Sequence, residues 1–339
     1  MKKVKMDSQQ MPSDFQKYFC EKVLNVVKLI HQGNNQLYKI HLPSGEYLAK
    51  RYSRKHPDNW QRGKAEFGAI SYLWEKGFRE IPQPLFFDEE DNTGVYSFER
   101  GCIIKPENVK EKDIDRCVNF LVKVHNLGNE DKRVFGPASS ACLCLQDYVK
   151  MNEKRIKWIT NFLAEGKRGE IGRNFLETNV YPKMDKLKIK LCDKCNEEDR
   201  LKILSLEEQV LTPVDFGFHN ILKNDDKYVF LDFEYFGRDD PVRQILEFVH
   251  HGKMKNMKQE MRDLFVKKYK SKTNQKDFEK RRILADPFVR MTWALINLHV
   301  LSPFYRNHLK FSHGDKGEKY FEDMIDKNLE EAKKILGRL

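Results

Sequence analysis

The stretch Thr212-Pro213-Val214-Asp215-Phe216-Gly217-Phe218-His219-Asn220-Ile221-Leu222, with Val229-Phe230-Leu231-Asp232-Phe233-Glu234-Tyr235 after it, decides how this chain is read. Its pattern is an Asp, an Asn five residues on, an apolar run, the polar turn Asn224-Asp225-Asp226, a second apolar run and a second Asp. Two short apolar runs around such a turn predict a hairpin. The hairpin folds Asp232 back beside Asp215 and Asn220. Phosphoryl transfer needs that set: a carboxylate for the acceptor's proton, and an amide and a carboxylate for metal on the phosphates. Asp and Asn are each common in turns, so the joint spacing, not any one residue, carries the reading.

DFGFHNIL followed by FLDFEYFGRDDP resembles the catalytic and metal-binding segments of the aminoglycoside phosphotransferase and choline kinase superfamily. Its members share a protein-kinase-like fold. The resemblance runs in element order from about residue 20 to 300 and is specific at the motifs. It implies that Asp215 is the catalytic base and that Asn220 and Asp232 are metal ligands. It implies Mg²⁺ and a nucleoside triphosphate, ATP with GTP as the alternative. The acceptor it implies is a small hydroxylated molecule: a sugar or glycan precursor, an amino alcohol or an aminoglycoside. Two positions depart from the usual pattern. Pro213-Val214 stands where His-Gly commonly precedes the Asp, and His219 stands where a small residue precedes the Asn.

The chain before this motif supplies the rest of a nucleotide site. Alternating runs near 23–30, 37–42 and 47–52 predict three antiparallel strands. A helical period over 58–77 follows, then a hairpin of 85–87 with 95–98. Lys50 shares a strand face with Leu48 and so points inward, where kinases neutralise phosphate charge. Arg51 points the other way. A buried lysine needs an anion, and Glu66 on the following helix suits that role. On this reading Lys50→Ala lowers turnover strongly and leaves the fold intact. Gly33, Asn34 and Asn35 form a turn whose backbone could cover phosphates. Ser97, Phe98 and Glu99 fall where the backbone meets adenine in this fold.

Beyond residue 100 the pattern is helical, over 113–126, 146–163, 173–191, 199–209, 256–271, 276–301 and 316–337. The expected fold is α+β and bilobal. Residues 1–100 form a small antiparallel β lobe with one helix, and residues 101–339 form a larger, mainly helical lobe with the catalytic and metal-binding loops.

The chain has 339 residues, 40% of them hydrophobic, which is ample for two packed lobes. No apolar run is long enough to span a membrane, and no signal-peptide core follows the N-terminal charges. The expected location is cytoplasmic. Seven cysteines are scattered, and the Cys192/Cys195 pair has no second pair to complete a zinc site. The net charge is +11, but Lys and Arg alternate with Asp and Glu along the whole length. That excludes a dedicated nucleic-acid stripe. The oligomeric state is left open. The competing functional class is a kinase-fold nucleotide-binding or regulatory protein without turnover, for which Pro213-Val214 is the one sign.

Overall fold

The computed structural model describes residues 13–29, 35–54, 60–130, 135–163, 165–313 and 317–339. The described strands β1 (Asn25–Leu29), β2 (Gln36–Leu42), β3 (Gly45–Arg51), β4 (Pro84–Asp88) and β5 (Thr93–Ser97) make one antiparallel sheet ordered β1-β2-β3-β5-β4. The short helix α1 (Ser13–Gln16) drops Phe15 onto one face. There Phe15 joins Tyr38, Ile40, Ala49 and Val95 in a small core of their own. Helix α2 (Arg62–Glu75) covers the other face. Its Ala69, Ile70 and Leu73 run into the main core with Tyr96 of β5. The sheet is therefore buried on both faces at β3, which is why both Ala49 and Lys50 are buried.

The second lobe begins with β6 (Cys102–Ile103) and α3 (Glu111–Glu130). It continues through α4 (Leu145–Asn161), α5 (Lys167–Phe175), α6 (Tyr181–Lys194) and α7 (Glu197–Leu201), with one π turn at Leu176–Val180. Four short strands follow, β7 (Val210–Thr212), β8 (Ile221–Asn224), β9 (Lys227–Phe230) and β10 (Gly237–Asp239). The helices α8 (Pro241–His250), α9 (Gln259–Lys272), α10 (Phe278–Asn297), α11 (Pro303–His313) and α12 (Glu318–Leu336) complete the chain. Helix α10 packs on α4, α8 and α12, and α3 packs on β7 and α9. The hairpin β8–β9 forms as expected, with β6 on its outer edge and β10 pairing with β7. None of the helices in the described residues is long and apolar enough to cross a membrane.

The α+β bilobal architecture is the one expected, with local corrections. The helix expected over 199–209 starts earlier, where Asn196 caps it, and stops at Leu201 because Lys202 turns extended at ψ 109°. Strand β9 ends at Phe230, short of the run to Phe233 that the sequence pattern predicts, as Asp232 takes a positive φ of 69°. Helix α8 was not anticipated, although its start is written in the chain. The Asp240 carboxylate accepts from the Val242 N–H at 2.9 Å, and Pro241 occupies the first turn.

Candidate active site

The bulky residues of the loop after β7 are its anchors. Phe216 stacks toward Phe230, centroids 5.7 Å apart, and Phe230 lies 3.8 Å from Phe120 of α3. Phe218 packs on Phe248 of α8. Burying one such ring contributes about 1.5–3 kcal/mol. With the phenylalanines turned into the core, Asp215 keeps a 28% exposed side chain. The backbone joins the metal-binding candidates to it. Asn220 Nδ2 donates to the Asp215 carbonyl at 2.9 Å, and the Leu231 N–H donates to the Asn220 carbonyl at 2.9 Å. Asp232 is the next residue. The three motif residues are thus tied together through one short network.

Lys50 reaches this network from the first lobe. Its Nζ donates to Asp232 Oδ1 and to Glu66 Oε2, both at 2.6 Å, and lies 3.9 Å from Glu234 Oε2. Tyr52 donates a further hydrogen bond to Glu66 at 2.8 Å. Arg51 turns to the opposite face, its guanidinium over the rings of Phe15 and Tyr38. Burial by itself would lower the Lys50 pKa, but the charges of Asp232, Glu66 and Glu234 hold it well above the usual value.

Glu234 is the residue sequence reasoning left in the motif without a role. Its Oε2 accepts from Asn35 Nδ2 at 2.8 Å, its Oε1 lies 3.7 Å from Arg62 Nε, and its backbone carbonyl accepts from the Trp60 indole at 2.7 Å. Burial, then the charge of Asp232, pushes its carboxyl up to about 7. Burial likewise raises Glu66, against the pull of Lys50. The carboxylate oxygens of Glu66, Asp232 and Glu234 come within 4.8 Å of one another. Such crowding of hard oxygen donors and surplus negative charge fits Mg²⁺, which takes one or two carboxylates and fills its other positions with water and phosphate.

Asp215 sits in different company. Partial burial would raise its pKa, but His219 and His251 hold it well below the carboxylate range. His251, just past α8, is separated from Asp215 by 36 residues, and no local pattern marks it. Val214, just before Asp215, has a φ of 67°. Gln244 of α8 grips its peptide from both sides. Gln244 Oε1 accepts from the Val214 N–H at 2.9 Å and Nε2 donates to the Val214 carbonyl at 3.2 Å.

The remaining candidates divide. Asn35 turns its side chain into Glu234, while Gly33 and Asn34 lie outside the described residues. Ser97, Phe98 and Glu99 link the lobes between β5 and β6. The N–H groups of Ser97 and Phe98 already pair with the carbonyls of Gln83 and Glu46.

No family model matches the chain, and no curated protein matches it in sequence. Solved structures do. A spectinomycin phosphotransferase, solved with ADP and spectinomycin, superposes with a TM-score of 0.61 over 99% of this chain and 100% of its own, at 13% identity. A choline kinase from Streptococcus pneumoniae matches with a TM-score of 0.59 over 96% and 97%, at 15% identity. An amicoumacin kinase, solved with AMP-PNP and Ca²⁺, matches with a TM-score of 0.57 over 96% of each chain, at 14% identity. The chain has the fold of the aminoglycoside phosphotransferases and choline kinases. Identities this low carry the fold and not the chemistry. Within that kinase fold, the Lys50–Glu66–Asp232 contact lies where the small lobe meets the large one.

Proposed function

We propose that the chain is a small-molecule kinase. It moves the γ-phosphoryl group of a Mg²⁺-bound nucleoside triphosphate to a hydroxyl of a small acceptor. The observation that carries this reading is the Lys50 ammonium, held 2.6 Å from both Glu66 and Asp232, one hydrogen-bonded step from the Asp215 loop. A cation fixed between lobes beside a divalent-metal donor set is what phosphate handling requires.

The roles follow from the groups present. Lys50 neutralises phosphate oxygens, and Glu66 with Tyr52 keeps its ammonium in place. Asp232 and the Asn220 side-chain oxygen would hold Mg²⁺, with Glu234 beside Asp232. Bound there, Mg²⁺ would offset charge on the phosphates during transfer. Asp215 orients the acceptor hydroxyl and takes its proton. With its pKa held low, Asp215 is a weak base, which suits a loose transition state where the proton leaves late.

The test is a phosphotransfer screen with ATP and GTP against sugars, amino alcohols and aminoglycosides, read by ³¹P NMR. Transfer to at least one class, lost in Asp215→Asn, is expected. Nucleotide binding without transfer to any acceptor or to water would favour a regulatory kinase-fold protein instead.

A further inference from the structure

Two imidazoles end on one carboxylate oxygen. His219 Nε2 lies 3.0 Å from Asp215 Oδ1, and His251 Nε2 lies 2.9 Å from the same atom. The two rings stack with centroids 4.1 Å apart, and Trp293 covers His251 at 4.2 Å. Both side chains are at least nine-tenths buried, at 9% and 7% exposure.

The hydrogen bonds settle where the ring protons sit. The Lys253 N–H donates to His251 Nδ1 at 3.1 Å. That nitrogen must therefore offer a lone pair, so the single ring proton of His251 is on Nε2. A carboxylate only accepts, so His219 also presents Nε2–H to Asp215. His219 Nδ1 is buried with no hydrogen-bond partner among the described residues. It faces Gly217, where a Cβ would stand 2.9 Å away.

The same three side chains have the composition of a metal site, with ligand atoms within 4.8 Å of one another. Their outer contacts are wrong for it. Metal on Nε2 would move each ring proton to Nδ1, which then needs an acceptor. His251 Nδ1 meets a donor, and His219 Nδ1 meets no acceptor among the described residues.

We propose that His219 and His251 are positioning residues that together saturate Oδ1 of Asp215, so that Oδ2 alone meets the acceptor hydroxyl. This rests on the phosphotransferase reading of the site. In the step, Oδ2 accepts the hydroxyl proton and the hydroxyl oxygen bonds to the γ-phosphorus. The bond to the β–γ bridging oxygen breaks, and the nucleoside diphosphate leaves with that electron pair. Neither imidazole gains or loses a proton.

Histidine ring ¹⁵N NMR on the full chain at neutral pH tests the donor assignment directly. Both rings should show a protonated Nε2, with His251 Nδ1 unprotonated, unmoved by Zn²⁺ added alone. An Nδ1–H tautomer at either ring, or Zn²⁺ shifting both, overturns the proposal. Steady-state MgATP turnover with water as acceptor tests the role. His251→Ala should lower kcat by up to about 100-fold, with KM for MgATP within about twofold. His251→Gln, whose amide nitrogen reaches the place of Nε2, should recover most of that loss, and His251→Asn should not. Equal losses in Gln and Asn, or a loss confined to KM, overturn it. A wild-type chain with no turnover on water or on any acceptor of the phosphotransfer screen sinks the phosphotransferase reading instead, and the NMR result alone then decides whether the imidazoles are donors.

Discussion

Glu234→Gln is expected to make the protein more stable and a poorer binder of metal and nucleotide. Glu234 is 3% exposed, beside Asp232 and Glu66, with Lys50 at 3.9 Å and Arg62 at 3.7 Å. Burial first and Asp232 second push its carboxyl from 4.5 up to about 7. Between those values the folded chain holds a proton that the unfolded chain has released. Stability therefore falls as pH rises through this window and levels off above it. At 1.36 kcal/mol per unit the ionised carboxylate costs roughly 3 kcal/mol by pH 8. Gln keeps the volume and still accepts from Asn35 Nδ2, so it mimics the protonated form at every pH. Thermal unfolding of the variant should run a few degrees above wild type at pH 8 and level with it near pH 4.5. Titration of ATP at pH 8 should show Mg²⁺-dependent affinity lowered by about 10-fold. A variant less stable than wild type at pH 8, or a gain that does not change with pH, refutes the reasoning.

Lys50→Met should lose about 3–5 kcal/mol at neutral pH, as for a broken buried ion pair. It leaves Glu66, Asp232 and Glu234 facing one another. The loss should shrink toward pH 5, since carboxyls with raised folded pKa values recover stability as they protonate; melts showing equal losses at both pH values count against it. Asp215→Asn should cut phosphotransfer by about 10²–10⁴-fold while MgATP binding holds. Asp232→Asn should weaken both, and calorimetric titrations with the reverse pattern would exchange the two roles. Gly217→Ala meets no backbone strain at φ 178°, but its Cβ would push on the His219 ring. Turnover should fall in the wild-type background and not further in His219→Ala, a non-additivity that a double-mutant cycle reads directly.

The parts of this molecule legible in the chain are those with a local period. The hairpin between Asn220 and Asp232 is announced by two apolar runs and a polar turn, and it forms. Lys50 and Arg51 separate onto opposite sides of β3 because strand geometry alternates. Glu66 lies on the face of α2 that reaches Lys50. The contacts that were not legible are non-local. Nothing near Glu234 says that it will share one lysine with Asp232 and Glu66, since Lys50 is 184 residues away in sequence. The expectation that Lys50→Ala spares the fold counts one carboxylate beside the lysine, whereas packing sets three around it. His251 was invisible for the same reason, since its place depends on where α8 lies against the loop after β7.

Helix α8 also holds both Val214 and His219, the two sides of the Asp215 carboxylate. Val214 is β-branched and sits at φ 67°, a conformation costing about 1–3 kcal/mol. A glycine in that place would need no support. Here the peptide is held by Gln244, which bonds both its N–H and its carbonyl and is itself bonded by the Thr212 hydroxyl. Two turns further on, the same helix ends and delivers His251 to Asp215. The ring of His251 then forms one wall of the slot in which His219 stacks. Val214 and His219 are thus parts of one structural solution. The loop gives up its own conformational ease, and α8 supplies the constraint on each side of the carboxylate. A chain with Val214 but without Gln244 would have a strained peptide without its clamp, and one with His219 but without His251 an imidazole without its stacking partner.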